Sequence, residues 1–271
     1  MMQQITPTVK QLLIINILFF IGSQIVPASE TYFALYSFQD NRFQFWQLIT
    51  HMFMHGGIGH IFFNMFALYS FGSALEQYWG PKKFIFFYIS CGLGAACMQL
   101  GINYLELQHI LQGAADLNLS DGTLHQILNA TISDSAVYRP DLFKNELLPI
   151  LQHAGKLDLI TQENFDSLYS AAISVQVPMV GASGAIYGLL VAFAFMFPNA
   201  ILGLMFIPIP IKAKYFVPII LIGDLVMGIK GSSIFGGASG IAHFAHIGGA
   251  LIGFLMMWYW KKNQFRHNRW N

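Results

Sequence analysis

Residues 180–197 read VGASGAIYGLLVAFAFMF. This run has no charge, and as a helix it would cover about 27 Å, close to the roughly 30 Å hydrocarbon core of a bilayer. Gly184 and Gly188 lie four residues apart on one helical face, a spacing that lets two membrane helices approach closely. Ser183 stands at the start of the run, between small residues. At a helix start its backbone N–H is one of the unpaired donors, and the helix dipole favours an anion there. Tyr187, four residues on, shares the serine's face. Two readings fit: a packing motif with a capping serine, or an alcohol set up to react.

Five other stretches are apolar at comparable length: 11–27, 58–78, 84–104, 215–229 and 240–260. The one at 215–229 is the weakest, being short and containing Pro218 and Asp224. Val26-Pro27-Ala28 resembles a signal cleavage site, but with five spans behind it an uncleaved first helix is expected. The composition agrees. Of 271 residues, 55% are apolar and 10% charged, against about 25% charged in soluble domains. That excludes a disordered tail, a coiled coil and almost any soluble enzyme of this length. Fourteen basic residues against 13 acidic ones leave no positive field for nucleic acid. Cys91 and Cys97, six apart in one apolar run, read as buried thiols rather than a disulfide, metal pair or redox motif.

Basic residues set the orientation. With the N-terminus inside, nine fall in inner loops, among them Lys10, Lys82, Lys83, Lys212 and Lys214, with Lys261, Lys262, Arg266 and Arg269 in the tail. Five fall outside: Arg42, Arg139, Lys144, Lys156 and Lys230. The expectation is an all-α membrane protein, a six-helix bundle with both termini inside. Residues 1–104 would carry helices 1–3, residues 179–260 helices 4–6, and residues 261–271 a basic cytoplasmic tail. Residues 105–178 form a polar insertion holding nine of the 13 acidic residues. Within it Phe165, Leu168, Tyr169, Ala172 and Ile173 fall at helical spacing, as do Leu124, Ile127, Leu128 and Ile132. A helical extracytoplasmic element is expected there, either a solvated cap or a gate that recognises substrate.

Polar groups inside a bilayer are costly, so each asks for a reason. His60 and Asn64, four apart at the start of the second span, share one helical face. They are either helix glue or two donors for a developing negative charge. In the sixth span His246 precedes Gly249 and Gly253, another close-packing face. A glycine-faced sixth helix against a glycine-faced fourth would bring His246 to Ser183, as a general base rather than a helix-bridging histidine. No carboxylate stands near His246 in sequence, so a Ser–His dyad is expected, with Tyr187 packing on the imidazole in place of a third acid.

These residues resemble the rhomboid family of intramembrane serine proteases. His55, His60 and Asn64 match its second-helix pattern, Gly181, Ser183 and Gly184 its Gly-x-Ser-Gly, and His246, Gly249 and Gly253 its sixth-helix pattern. The resemblance covers the six spans and leaves 105–178 uncovered. It implies Ser183 as nucleophile and His246 as base. It also implies an oxyanion hole from His60, Asn64 and the Ser183 N–H, with Tyr187 against the histidine and His55 in a structural place. Substrates would be transmembrane proteins cut near the outer face, with no metal and no cofactor. One departure is Trp46-Gln47, where many relatives carry Trp-Arg; Gln lacks the charge and fork of Arg.

Competing readings are weaker. His51, His55, His60, His243 and His246 suggest an intramembrane metalloprotease, but His51-Met52-Phe53-Met54-His55 lacks the glutamate of His-Glu-x-x-His. A pseudoprotease that only binds membrane proteins would have lost the serine or histidine. Asp224 suggests a transporter, but it stands alone without an inverted repeat, and a buried polar contact to a neighbouring helix or lipid headgroup is the plainer reading. With no targeting extension in view, a multi-pass protein of the bacterial inner membrane is expected.

Overall fold

A computed structural model of the chain describes residues 4–134, 137–204, 207–230 and 241–263. Arg266 and Arg269 of the expected tail lie outside these. The chain divides into two compact units, one of Met1–Ala34, Trp46–Gln99 and Val180–Asn271, the other of Leu35–Phe45 and Leu100–Met179.

In the first unit, α1 (Pro7–Ile25) starts at Pro7, whose fixed φ and missing N–H suit a first helical position. Its free N-terminal donors are taken by a distant carboxylate. Glu76 accepts from the Thr8 and Val9 N–H groups at 3.0 Å each and from the Thr6 hydroxyl. This satisfies a buried charge and a helix end at once. α2 (Ile58–Trp79) carries one wide π turn at Leu68–Gly72. Gly80, at φ 74°, ends it in a conformation that disfavours side chains, and α3 (Pro81–Ile110) follows, its residues from Leu100 on being counted in the second unit.

Among the described residues, three helices are long and apolar enough to cross a membrane: Pro7–Ile25, Ile58–Trp79 and Pro81–Leu117. Their outward residues are apolar too, with Leu18, Phe62 and Phe86 at least half exposed. In water such a surface would drive aggregation; in lipid it is solvated. The core is aromatic and aliphatic, built on Leu68, Leu75, Phe84, Phe87, Tyr88 and Leu189.

Both cysteines are free, and Cys91 is buried, but Cys97 is exposed, against the expectation of two buried thiols. Six residues at about 100° each turn Cys97 away from the face that Cys91 presents to its neighbours.

In the second unit the residues spaced as one helical face lie on α6 (Gln162–Gln176). Leu168 and Ala172 are buried with Leu147 and Leu151 of α5 (Pro140–His153) and Ile127 of α4 (Asp121–Leu128), under an aromatic group of Phe143, Phe165 and Tyr169. α6 opens on a capping box, Thr161 Oγ1 taking the Asn164 N–H while Asn164 Oδ1 takes the Thr161 N–H. Arg42 pairs with Asp40 at 2.5 Å. Burial pulls the Arg42 guanidinium pKa down, but the hydrogen bond and charge of Asp40 more than offset it and hold it above its ordinary value.

The described residues are mostly helical, with two short antiparallel strand pairs besides. β1 (Ser133–Asp134) pairs with β2 (Val137–Tyr138), and β3 (Ile201–Leu204) with β4 (Ile207–Lys212) in the register Ile201 to Lys212. Three further helices, α7 (Ser183–Met196), α8 (Ala213–Lys230) and α9 (Ile241–Asn263), belong to the first unit.

Candidate active site

The site begins where α7 begins. Gly181 has φ 120°, a backbone conformation that L side chains rarely adopt. A Cβ there would also lie 2.7 Å from His60 Nε2. Its N–H donates to the His51 carbonyl at 2.9 Å, tying the turn before α7 to the turn before α2. Ser183 is therefore delivered at the first helical residue with His60 beside it.

α9 lies against α7 at backbone distance. A Cβ on Gly249 would overlap the Gly184 carbonyl oxygen, and one on Gly253 would lie 2.8 Å from the Gly188 Cα. On the other side a Cβ on Gly184 would overlap that of Ala95 in α3. Only glycine permits this approach, and the approach sets the reach of His246. Its Nε2 lies 2.8 Å from the Ser183 Oγ, a hydrogen-bond distance. The Tyr187 ring stacks on the imidazole, centroids 4.2 Å apart and planes within 9°. Ser183, His246, Tyr187, Gly181, Gly184, Gly249, Gly253 and His60 thus meet in one place. Asn64 is one turn past His60 on α2, buried, its Nδ2 without a hydrogen-bond partner among the described residues. His55 packs edge-on to His60 at 5.1 Å.

A carboxylate belongs to this group. Asp224 on α8 is 4% exposed. Its Oδ1 lies 2.5 Å from His243 Nδ1, and its Oδ2 3.3 Å from His246 Nδ1. The reading that no carboxylate stands near His246 held only along the chain: 22 residues separate the two, but α8 and α9 bring them together. An intramembrane Asp beside a His-x-x-His pair was the available signal; the missing information was which helices are neighbours. The contact is to a neighbouring helix rather than to a headgroup. One carboxylate oxygen and two imidazole nitrogens from Asp224, His243 and His246 all lie within 4.8 Å of one another, a set able to hold a metal ion.

The family model of the rhomboid domain matches residues 42–116 and 159–263. That covers most of the chain and every residue of this site, and leaves 117–158 unmatched. An uncharacterized mitochondrial rhomboid protein of Schizosaccharomyces pombe is 26% identical over 230 residues, 81% of this chain and 52% of that protein. The mitochondrial RHOMBOID-like protein 12 of Arabidopsis thaliana is 26% identical over 220 residues, 81% of this chain and 47% of the relative. The rhomboid protease GluP of Bacillus subtilis is 38% identical over 50 residues, 18% of this chain and 10% of that protein. The chain belongs to the rhomboid family. It spans about half the length of the two mitochondrial relatives.

Proposed function

We propose that this rhomboid protein is an intramembrane serine endopeptidase that hydrolyses peptide bonds of transmembrane proteins near the outer face of the bilayer. The observation that carries the reading is the 2.8 Å contact between Ser183 Oγ and His246 Nε2 at the start of α7. Family membership supports a protease. The frame for it is six spans with both termini inside, the core of 1–104 and 179–260, and an extracytoplasmic helical insertion at 105–178. The mitochondrial names among the relatives do not favour the bacterial inner membrane, and the proposal commits only to a lipid bilayer.

Serine is a weak nucleophile until a base takes its proton. In the proposed mechanism His246 Nε2 accepts the Ser183 hydroxyl proton as Oγ bonds to the substrate carbonyl carbon. The carbonyl oxygen becomes an oxyanion, held by the Ser183 N–H, His60 and Asn64. The unpaired Asn64 Nδ2 suits that duty. Collapse breaks the C–N bond, and His246 gives its proton to the leaving amine. Water then repeats the sequence on the acyl-enzyme and frees Ser183. Each oxyanion donor is worth about 3–4 kcal/mol, or 10²–10³ in rate. Helical peptide bonds are shielded by their own hydrogen bonds, so substrates would carry small or helix-breaking residues near the cut. Water would reach Ser183 from the outer face.

A metal-dependent hydrolase finds one supporting observation in Asp224, His243 and His246. The 2.5 Å between Asp224 and His243 argues for a direct hydrogen bond instead. Two donors on one tetrahedral zinc sit about 3.3 Å apart. A reading as a binding-only pseudoprotease has both Ser183 and His246 against it.

The deciding experiment is labelling with a fluorophosphonate and cleavage of a single-span fusion substrate. Ser183→Ala is expected to abolish both and His246→Ala to leave only a slow residual rate, each melting like the wild type, and Asn64→Ala to slow cleavage 10²–10³-fold. Labelling or cleavage by Ser183→Ala at the wild-type rate overturns the reading. Activity lost to EDTA but untouched by the phosphonate replaces it with the metal one.

A further inference from the structure

We propose that Asp224 is a positioning residue for His246, extending the Ser183–His246 pair into a three-residue relay across α7, α9 and α8. The inference rests on the proteolytic reading above. A carboxylate 4% exposed in an apolar helix is costly and needs partners that hold its charge. Both of its oxygens face α9. Oδ1 accepts from His243 Nδ1–H at 2.5 Å, which fixes the plane of the carboxylate. Oδ2 then stands 3.3 Å from His246 Nδ1, neither buried atom has a closer hydrogen bond among the described residues, and the Tyr187 side chain on α7 also interacts with the carboxylate. α8 is close enough to make this contact, since a Cβ on Gly228, one turn beyond Asp224, would lie 3.2 Å from the His243 Cβ.

The consequence follows from the two ring nitrogens. Nε2 must offer a lone pair to the serine hydroxyl, so the neutral ring has to carry its proton on Nδ1. A carboxylate facing Nδ1 selects that tautomer, and it stabilises the imidazolium once the Ser183 proton has moved. Tyr187 stacks flat on the ring and restrains its tilt. His243 anchors the carboxylate. The 3.3 Å separation is longer than a charge-assisted bond, and it would shorten when the imidazole becomes charged.

The test uses the full chain in proteoliposomes and the fluorophosphonate as probe. The pseudo-first-order labelling rate is measured for wild type, Asp224→Asn, Asp224→Glu, His246→Ala and the double variant His246→Ala with Asp224→Asn, alongside melting temperatures. Asp224→Asn is expected to slow labelling at least tenfold, short of the roughly 10⁴ that a wrong tautomer costs an established triad. Asp224→Glu is expected to recover part of that rate. In the His246→Ala background Asp224→Asn is expected to change nothing further, because its action passes through the missing ring. A side chain that only ties two helices together would give equal losses in both backgrounds.

The wild-type chain supplies a measurement free of folding changes at Asp224. Histidine-selective ¹⁵N NMR, with the His246 signal identified by its absence from His246→Ala, is expected to show a proton on Nδ1. An Asp224→Asn rate within twofold of wild type, equal losses in the two backgrounds, or an Nε2–H tautomer overturns the inference alone. Wild type that does not label, or labels no faster than Ser183→Ala, overturns the proteolytic reading and this inference with it.

Discussion

The two units hold themselves together by opposite means. Where α7 meets α9 the contact is nearly bare backbone, Gly249 against Gly184 and Gly253 against Gly188. In the second unit α4, α5 and α6 meet through large side chains, with Phe143, Leu147, Leu151 and Leu168 fully buried. The difference teaches what each surrounding medium rewards. Lipid tails solvate leucine as well as another helix does, so membrane helices gain from close approach and from polar contacts that closeness permits. Water rewards apolar area removed from it, and the bulk in the second unit accords with the proposal that 105–178 is an insertion outside the bilayer. The backbone contact also has a chemical result, because it brings an imidazole to a serine.

That contrast can be broken at four places. Gly249→Val has the largest expected effect. Its side chain would have to displace the Gly184 backbone, an obstacle less yielding than the side chains behind the usual 1–3 kcal/mol cost of overpacking. Fluorophosphonate labelling should be lost, and the melting transition should fall sharply or vanish. Phe143→Ala comes next. Removing this ring from the Leu147, Leu151 and Leu168 cluster should cost about 3–5 kcal/mol, read as lost hydrogen-exchange protection in α5 and α6. Thr161→Ala removes half of the capping box and should cost about 1 kcal/mol, with faster exchange at the Asn164 amide. Gly22→Ala is the smallest and has the opposite sign. No atom lies within 4 Å of a Cβ at that position, so a helical alanine should stabilise the chain by about 0.5–1 kcal/mol in thermal melting. If Gly22→Ala proved as damaging as Gly249→Val, glycine itself rather than the space it leaves would be what matters.

Much of this was legible because it repeats at helical period. The glycine pairs of α7 and α9 announced a close crossing, and the crossing implied that His246 reaches Ser183. The stripe at 165–173 announced a helix with one buried face, and so did 124–128, though α4 ends at Leu128 and Ile132 of the expected stripe lies beyond it. Asp224 was not legible as a partner of His246, because periodicity describes one helix at a time and says nothing about which helices are neighbours. The exposure of Cys97 was lost for a related reason: an apolar run in a membrane helix looks the same on its packed and lipid-facing sides. The two-residue strands β1 and β2 are too short to leave a pattern. The β3–β4 pair includes Pro208 and Pro210, which read as interruptions rather than as a strand.

The wide turn at Leu68–Gly72 has its own consequence. One surplus residue in a helix swings everything beyond it by about 100° about the axis. His60 and Asn64 precede that swing, and Glu76 follows it. The span thereby aims His60 and Asn64 at the serine and Glu76 at the amides that open α1, with Glu76 about 100° from the bearing that a uniform spiral would give position 76. Deleting one residue from 68–72 would restore uniformity, rotate Glu76 off the start of α1, and leave those amides bare while His60 and Asn64 kept their bearing.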